Sequence, residues 1–250
     1  MTNSLKLWFS IYDIKGTYIG NEPEFLNPEN FVWAKDFSEN CNAIKKELNE
    51  YLTEQNLETY FRSSMVSQKN SWKTIALKNW SIEIFKNQKY FPITNSLLIK
   101  YPQIISSSFN LLTANSRIHL HSGDTNAIYR CHLGIDVPEG LPNCGFKVKN
   151  EIQSWSNGEW LVFMDAYEHE AWNNSSSDRY IFVIDVLRDE YVSKKNLVTS
   201  TVKTSLFLQK RAEKFKFIYN LNQSIISFIA KMLRPFILSG IRLCNILKIY

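Results

Sequence analysis

The period of the apolar positions changes twice along the chain. Asn40 to Leu57 carries Ala43, Ile44, Leu48, Leu52 and Leu57 at helical spacing with Glu and Lys between them, so residues 1–100 read as mixed and mainly helical. Pro23, Pro28, Pro92 and Pro102 punctuate this half. From Ile104 the runs shorten and become rich in β-branched and aromatic residues: Ile104–Thr113, Arg117–His121, Ala127–Val137, Cys144–Lys149, Glu151–Trp155, Glu159–Met164, His169–Trp172 and Arg179–Leu187. Gly123-Asp124, Pro138-Glu139-Gly140, Asn157-Gly158 and Asn173–Ser177 separate them, and Asn157-Gly158 predicts a hairpin between its flanking runs. Eight strands at this spacing predict a sandwich or jelly roll. Arg179–Val186 is almost continuously apolar after its first residue, as a strand buried on both faces requires. From Ala212 the helical period returns, with Leu221, Ile225, Phe228, Ile229, Met232, Leu233 and Phe236 on one side and Arg234-Pro235 predicted to divide two short helices. The resulting division is a domain over 1–192, helical over 1–100 with a β core over 104–188, and a basic amphipathic helical tail over 193–250.

Composition changes this picture in two places. Of the net charge of +5, the segment Lys210–Tyr250 holds eight Lys or Arg against Glu213 alone, while the other 209 residues carry 21 Lys or Arg and 23 Asp or Glu. The basic balance belongs to the tail and gives no support to nucleic-acid binding by the main domain. Cys41, Cys131, Cys144 and Cys244 are scattered without a CxxC pair, which argues against a disulfide framework or structural zinc site and for a reducing, cytoplasmic setting. Leu7-Trp8-Phe9 is followed by Asp13 and Lys15, too early a break for a secretion leader.

The chemistry concentrates on histidine. All four lie between His119 and His169, inside the predicted β region, with Arg130 and Arg179 nearby. Strict alternation puts Arg117, His119 and His121 on one face and Ile118 and Leu120 on the other, and pairs Arg130 with His132 opposite Tyr129, Cys131 and Leu133. A single strand histidine is more often a hydrogen-bonded core residue than a ligand, and His119 alone reads as supporting or exposed. Convergence of His121, Arg130, His132, His169 and Arg179 weighs against that bland reading: imidazole supplies neutral nitrogen to iron, and guanidinium a planar fork for carboxylate. Composition and spacing by themselves stop at a β-sandwich with a metal or anion site.

The stretch His121-Ser122-Gly123-Asp124-Thr125-Asn126-Ala127-Ile128-Tyr129-Arg130-Cys131-His132-Leu133-Gly134 resembles the signature of the aspartyl/asparaginyl β-hydroxylase family, His-x-Gly-x-Thr/Asn-Asn-x-x-x-Arg-x-His-Leu-Gly. Glu168-His169-Glu170-Ala171-Trp172-Asn173, followed by Arg179, Asp185 and Arg188, resembles its second element, and Phe31-Val32-Trp33, Trp72-Lys73, Phe91-Pro92-Ile93-Thr94 and Tyr101-Pro102 fall in the order of bacterial members. The resemblance implies a cupin-like double-stranded β-helix, with flanking N-terminal helices, that uses iron(II), 2-oxoglutarate and O2. His121 and His169 would hold the metal. Arg179 would take the distal carboxylate of 2-oxoglutarate, and Arg130 and His132 the chelating end. By the same resemblance Asn110 would stand beside the distal carboxylate, where the family often has Ser. Most members of the wider superfamily add a carboxylate ligand two residues after the first histidine; here that position is Gly123, and Asp124 reads as a turn residue.

The reaction so implied is hydroxylation of an unactivated carbon with succinate and CO2 as coproducts. The favoured substrate is the β-carbon of Asp or Asn in a peptide or protein. The alternative is a lipid acyl chain, which gains weight if the tail touches a membrane. Phe217–Ala230, 14 residues without charge, is too short to span a bilayer, but with the basic residues around it the region 210–250 could lie on an anionic surface. An inactive metal-binding cupin-like module and a metal-dependent hydrolase are the readings from other classes.

Overall fold

The computed structural model describes residues 6–13 and 17–250, so Lys15 and the first residues of the stretch weighed as a leader lie outside it. In chain order the elements are β1 (Phe25–Leu26), α1 (Val32–Glu39), α2 (Cys41–Glu54), β2 (Glu58–Thr59), β3 (Trp72–Asn79), β4 (Ile82–Glu83), α3 (Phe85–Gln88) and α4 (Pro92–Lys100). The β region follows: β5 (Ile104–Leu112), β6 (Ser116–His121), β7 (Ile128–Asp136), β8 (Cys144–Val148), β9 (Glu151–Gln153), β10 (Trp160–Phe163), β11 (His169–Asn173) and β12 (Arg179–Leu187). Two long helices close the chain, α5 (Lys195–Lys214) and α6 (Gln223–Ile246). Each of the eight strands expected after residue 104 is present.

The strands form two antiparallel sheets facing each other, a double-stranded β-helix or jelly roll. The major sheet runs β1-β10-β7-β12-β5-β3-β2 with β4 on β3, and the minor sheet runs β6-β11-β8-β9. Alternation sorts the major sheet's side chains. Ile75, Leu77, Phe109, Leu111, Leu133, Phe182 and Ile184 leave one face and pack with Trp33, Phe37, Ile44, Leu48, Phe91 and Leu98 of the N-terminal helices. Each such burial stabilises the fold by roughly 1.5–3 kcal/mol, which is what fixes the helices against this face. The opposite face looks into the barrel, where Phe146, Phe163, Ile118, Ala171 and Ile181 form a second core. Glu47 of α2 adds a polar tie, its carboxylate accepting from the Ile93 and Thr94 amides at 2.5 and 3.1 Å at the start of α4.

The first hundred residues are mixed and mainly helical, as expected, and their one long strand, β3, joins the major sheet beside β5, because Ile75 and Leu77 alternate with Thr74, Ala76 and Lys78 across the pleat. Two other expectations need correction. Asn157-Gly158 is a turn but closes no hairpin, since β9 pairs with β8 and β10 with β7 and β1. Gly158, at φ +83°, instead passes the chain from the minor sheet to the major. Finally, Arg234-Pro235 does not divide the tail. Pro235 lies inside the continuous α6, whose packing on α5 offsets the roughly 3 kcal/mol of a missing amide and ring clash.

Helix α5 is built into the domain. Val198 and Val202 share a core with Phe9, Ile105, Ala127, Ile128 and Leu187, and Thr199, Thr201, Thr204 and Ser205 are buried beside them.

Candidate active site

His121 and His169 sit directly opposite one another on β6 and β11, with ring centroids 4.2 Å apart. A bulge brings this about. Between the pairs His169–His121 and Ala171–Ile118 the ladder takes three steps on β6 for two on β11, which shifts the phase of β6 by one residue. Ile118 and His121 therefore both line the barrel cavity, while Arg117, His119 and Leu120 are exposed. The strict alternation expected for Arg117, His119 and His121 fails at this point. His119, expected to be supporting or exposed, is exposed.

Each imidazole is oriented the same way. Nδ1 of His121 lies 2.8 Å from the carbonyl of His119, and Nδ1 of His169 lies 2.8 Å from the carbonyl of Tyr167. A carbonyl only accepts, so Nδ1 carries the proton in both rings and the Nε2 lone pair is free. Burial pushes the His121 pKa down to about 4 and that of His169 well below its ordinary value, with Arg130 adding to both effects. Two neutral imidazoles with matched tautomers face one space, the form in which histidine binds a metal.

Asp165, in the turn before β11, completes the setting. Its carboxylate is 1% exposed, 3.7 Å from His169 Nε2 and 2.7 Å from Arg130 Nη1. Burial raises its pKa to about 7 against the pull of Arg130, with Asp185 and Asp124 adding to the rise. A Cβ on Gly123 would stand 1.8 Å from Asp165 Oδ2, so the carboxylate fills the space that a side chain two residues after His121 would occupy. Among the described residues no three His, Cys, Asp or Glu side chains converge as a ligand set.

Arg130 and His132 leave β7 on the cavity side. Arg130 is committed to carboxylates: besides Asp165, its Nε and Nη2 donate to Asp185 at 2.7 and 3.1 Å. Burial works against this charge, and Asp165 and Asp185 outweigh it. His132 packs against Phe146 and Phe163, and its buried Nδ1 has no partner in the protein. Arg179, opening β12, is 2% exposed, stacks on Trp155 with its guanidinium carbon 4.0 Å from the ring centroid, and leaves Nε and Nη1 without acceptors. Burial pulls its pKa down to about 10. A buried cation lacking a protein carboxylate is the mark of a site for an external anion. Asn110 lines the same cavity, but its amide is engaged: Oδ1 accepts from Trp72 Nε1 at 3.0 Å and Nδ2 donates to Ser108 Oγ at 2.8 Å.

All six predicted site residues, His121, His169, Arg130, His132, Arg179 and Asn110, thus line one cavity of about 590 Å³. Asp124, expected to be a turn residue, points away: its Oδ1 accepts from Ser10 and Ser205 hydroxyls at 2.9 and 2.6 Å and from Gln209 Nε2 at 3.1 Å. Sequence reasoning passed over Asp165, Trp155 and Tyr60. The Tyr60 ring stacks on Trp72 at 3.8 Å in the cavity wall, and burial raises its pKa to about 12. Asp165 sits in the turn before β11, and a turn aspartate is too common to stand out in sequence.

Residues 38–189 match the sequence profile of the family described as aspartyl/asparaginyl beta-hydroxylase. The chain belongs to this family. Among its relatives, an ornithine lipid ester-linked acyl 2-hydroxylase from Rhizobium tropici is 29% identical over 190 residues, which take in 74% of this chain and 67% of that protein. The human aspartyl/asparaginyl beta-hydroxylase is 30% identical over 128 residues, 49% of this chain and only 17% of the human protein. Of solved structures, a Pseudomonas putida prolyl-4-hydroxylase is similar with a TM-score of 0.43 at 12% identity, covering 60% of this chain and 87% of that one. Family membership places the chain among hydroxylases.

Proposed function

We propose that this chain is an iron(II)- and 2-oxoglutarate-dependent oxygenase that hydroxylates an unactivated carbon. One observation carries the reading: the unpartnered, buried Arg179 shares a cavity with two neutral imidazoles whose Nε2 lone pairs are free. The donor set fits the cofactors. Nε2 of His121 and of His169 would hold the metal, and the fork of Arg179 suits the distal carboxylate of 2-oxoglutarate. When bound, iron and the keto acid supply activation of O2 with release of succinate and CO2.

The protein's own contribution is placement and charge. The carbonyls of His119 and Tyr167 hold the imidazoles in one tautomer. Arg130, braced by Asp185, keeps the Asp165 carboxylate beside His169, where it would place a buried acid–base group next to the metal that the two histidines would hold. His132 offers its unpaired Nδ1 to the chelating end of the keto acid. Phe146, Phe163 and Trp155 line the inner cavity with apolar surface that excludes bulk water.

For the substrate, the acyl chain of a polar lipid is the reading we favour over a peptidyl Asp or Asn β-carbon. The support is the long alignment with the R. tropici acyl 2-hydroxylase and the large apolar face that α6 leaves uncovered. The test is succinate release from 2-oxoglutarate with iron(II) and ascorbate, for wild type and His169→Ala, with ornithine lipid or an Asp-containing peptide added. Wild type alone is expected to turn over, and lipid to stimulate it. Equal rates in wild type and His169→Ala overturn the oxygenase reading, and stimulation by peptide alone overturns the substrate.

A further inference from the structure

Helix α6 has two unlike faces. The inner one is fastened along its whole length. At its start, Gln223 Nε2 and Ser227 Oγ donate to the carbonyl of Ile11 at 2.7 and 3.1 Å. Ala230 and Ile241 are buried in the middle. Near its end, Asn245 accepts from the Glu83 amide at 2.9 Å and donates to the Ser81 carbonyl at 2.8 Å. The outer face is a stripe of Ile225, Phe228, Met232, Phe236, Leu243 and Ile246, 48 to 76% exposed, at the 3- and 4-residue steps of one helix side. Phe217 and Tyr219, 64 and 55% exposed in the turn just before, extend it with aromatic rings. A contiguous exposed apolar stripe of this kind marks an interaction surface.

Charge identifies what covers it. From residue 223 to the end there are four Lys or Arg and no Asp or Glu, and Lys231, Arg242 and Lys248 are exposed beside the stripe. A second copy of so uniformly basic a face would repel the first, whereas the headgroup layer of an anionic bilayer attracts it. By length and composition α6 is able to cross a membrane, with 24 residues and an 18-residue stretch of mean hydropathy 1.5. Its attachments oppose that orientation: crossing would tear away the bonds to Ile11, Ser81 and Glu83 and pull the buried Ala230 and Ile241 from their packing. A helix tied down at both ends can only lie flat.

We propose that α6 is an in-plane docking helix for an anionic phospholipid bilayer, with Phe228, Met232 and Phe236 at the centre of the immersed stripe. The docking stands independently of the reaction proposed above. Helix α5, which packs on α6, contributes Lys203, Leu206 and Lys210 to the wall of the cavity that holds His121 and His169, so the docking helix and the cavity share a neighbour.

The experiment is flotation of the full-length protein with vesicles of phosphatidylcholine alone, or of equal parts phosphatidylcholine and phosphatidylglycerol. The expected partition is at least about a hundredfold higher on the anionic vesicles, from several basic residues near the surface. Phe228→Asp/Phe236→Asp is expected to lower it at least tenfold with an unchanged thermal midpoint, and Lys35→Glu/Lys46→Glu, on the far helices, to leave it within about threefold. An alkaline wash is expected to release the bound protein. Absence of binding by wild type, equal binding by the aspartate variant, retention through the wash as for a spanning helix, or a wild-type dimer that this variant turns into a monomer would each overturn the proposal.

Discussion

Arg179→Met separates binding from folding more cleanly than loss of either histidine. The native guanidinium is 2% exposed, has no protein carboxylate, and has its pKa drawn down from the ordinary guanidinium value to about 10 by burial. At about 1.36 kcal/mol per pH unit this is about 3 kcal/mol of disfavoured charge. The face of Trp155 returns about 1–2 kcal/mol of it. Methionine keeps most of the volume without the charge, so the ligand-free variant is expected to be more stable by about 1–2 kcal/mol, or roughly 2–8 °C for a chain of this size. Because the folded pKa is the lower one, the unfolded chain binds more protons only above about pH 10, and the gain is constant across neutral pH. With 2-oxoglutarate the order reverses. Removing a buried partner from a charge pair costs about 2–5 kcal/mol, a roughly 30- to 5,000-fold weaker Kd. At about 100 times the wild-type Kd the keto acid adds about 2.7 kcal/mol to wild type and little to the variant. Anaerobic thermal melts with and without 2-oxoglutarate read both effects. A variant that melts below wild type yet still responds fully to the keto acid would refute the assignment of Arg179 as an anion seat.

Other positions give independent checks. Gly123→Ala drives a methyl into the Asp165 carboxylate, which Arg130 prevents from yielding; a loss of about 1–3 kcal/mol in the melt and a marked fall in metal affinity are expected. Burial alone would raise the pKa of Glu22, but hydrogen bonds from Arg188, its own backbone and Tyr18 outweigh this and lower it. Its stabilising contribution is therefore present above the ordinary carboxylate pKa and lost as pH falls through the folded value. Glu22→Gln is expected to cost roughly 3 kcal/mol at neutral pH and to flatten the dependence of the melting midpoint on pH below about 4.5. Asn110→Ser, which withdraws an acceptor from the Trp72 indole, is expected to cost about 1 kcal/mol in stability while shifting the KM for 2-oxoglutarate less than about threefold, measured by succinate release.

Much of the architecture was legible because the period of the sequence reports burial. Strands β5 to β12 alternate or run apolar as their two-sided packing demands, and Arg179–Leu187 is indeed flanked by β5 and β7. What escaped depended on neighbours far along the chain. The side chains of β3 give only four or five steps of alternation, and its place is settled by β5, more than thirty residues away. The turn at Asn157-Gly158 has hairpin chemistry, yet β9 finds a better edge on β8. The bulge in β6 is invisible to periodicity, since nothing in Arg117–Leu120 marks an extra residue. In the site, the histidines and arginines were picked out by their types and spacing, whereas Asp165 acquires its importance only from the gap over Gly123.

The contacts of Asp124 have a bearing on how the molecule is made. The loop that leaves His121 is moored to Ser205 and Gln209, 81 and 85 positions downstream, and Gln209 in turn holds Arg62 in the segment that walls the cavity. Ser10, ahead of the barrel, grips the same Asp124, so the loop beside the first histidine is clamped from both sides of the β region, and slack in either clamp reaches His121.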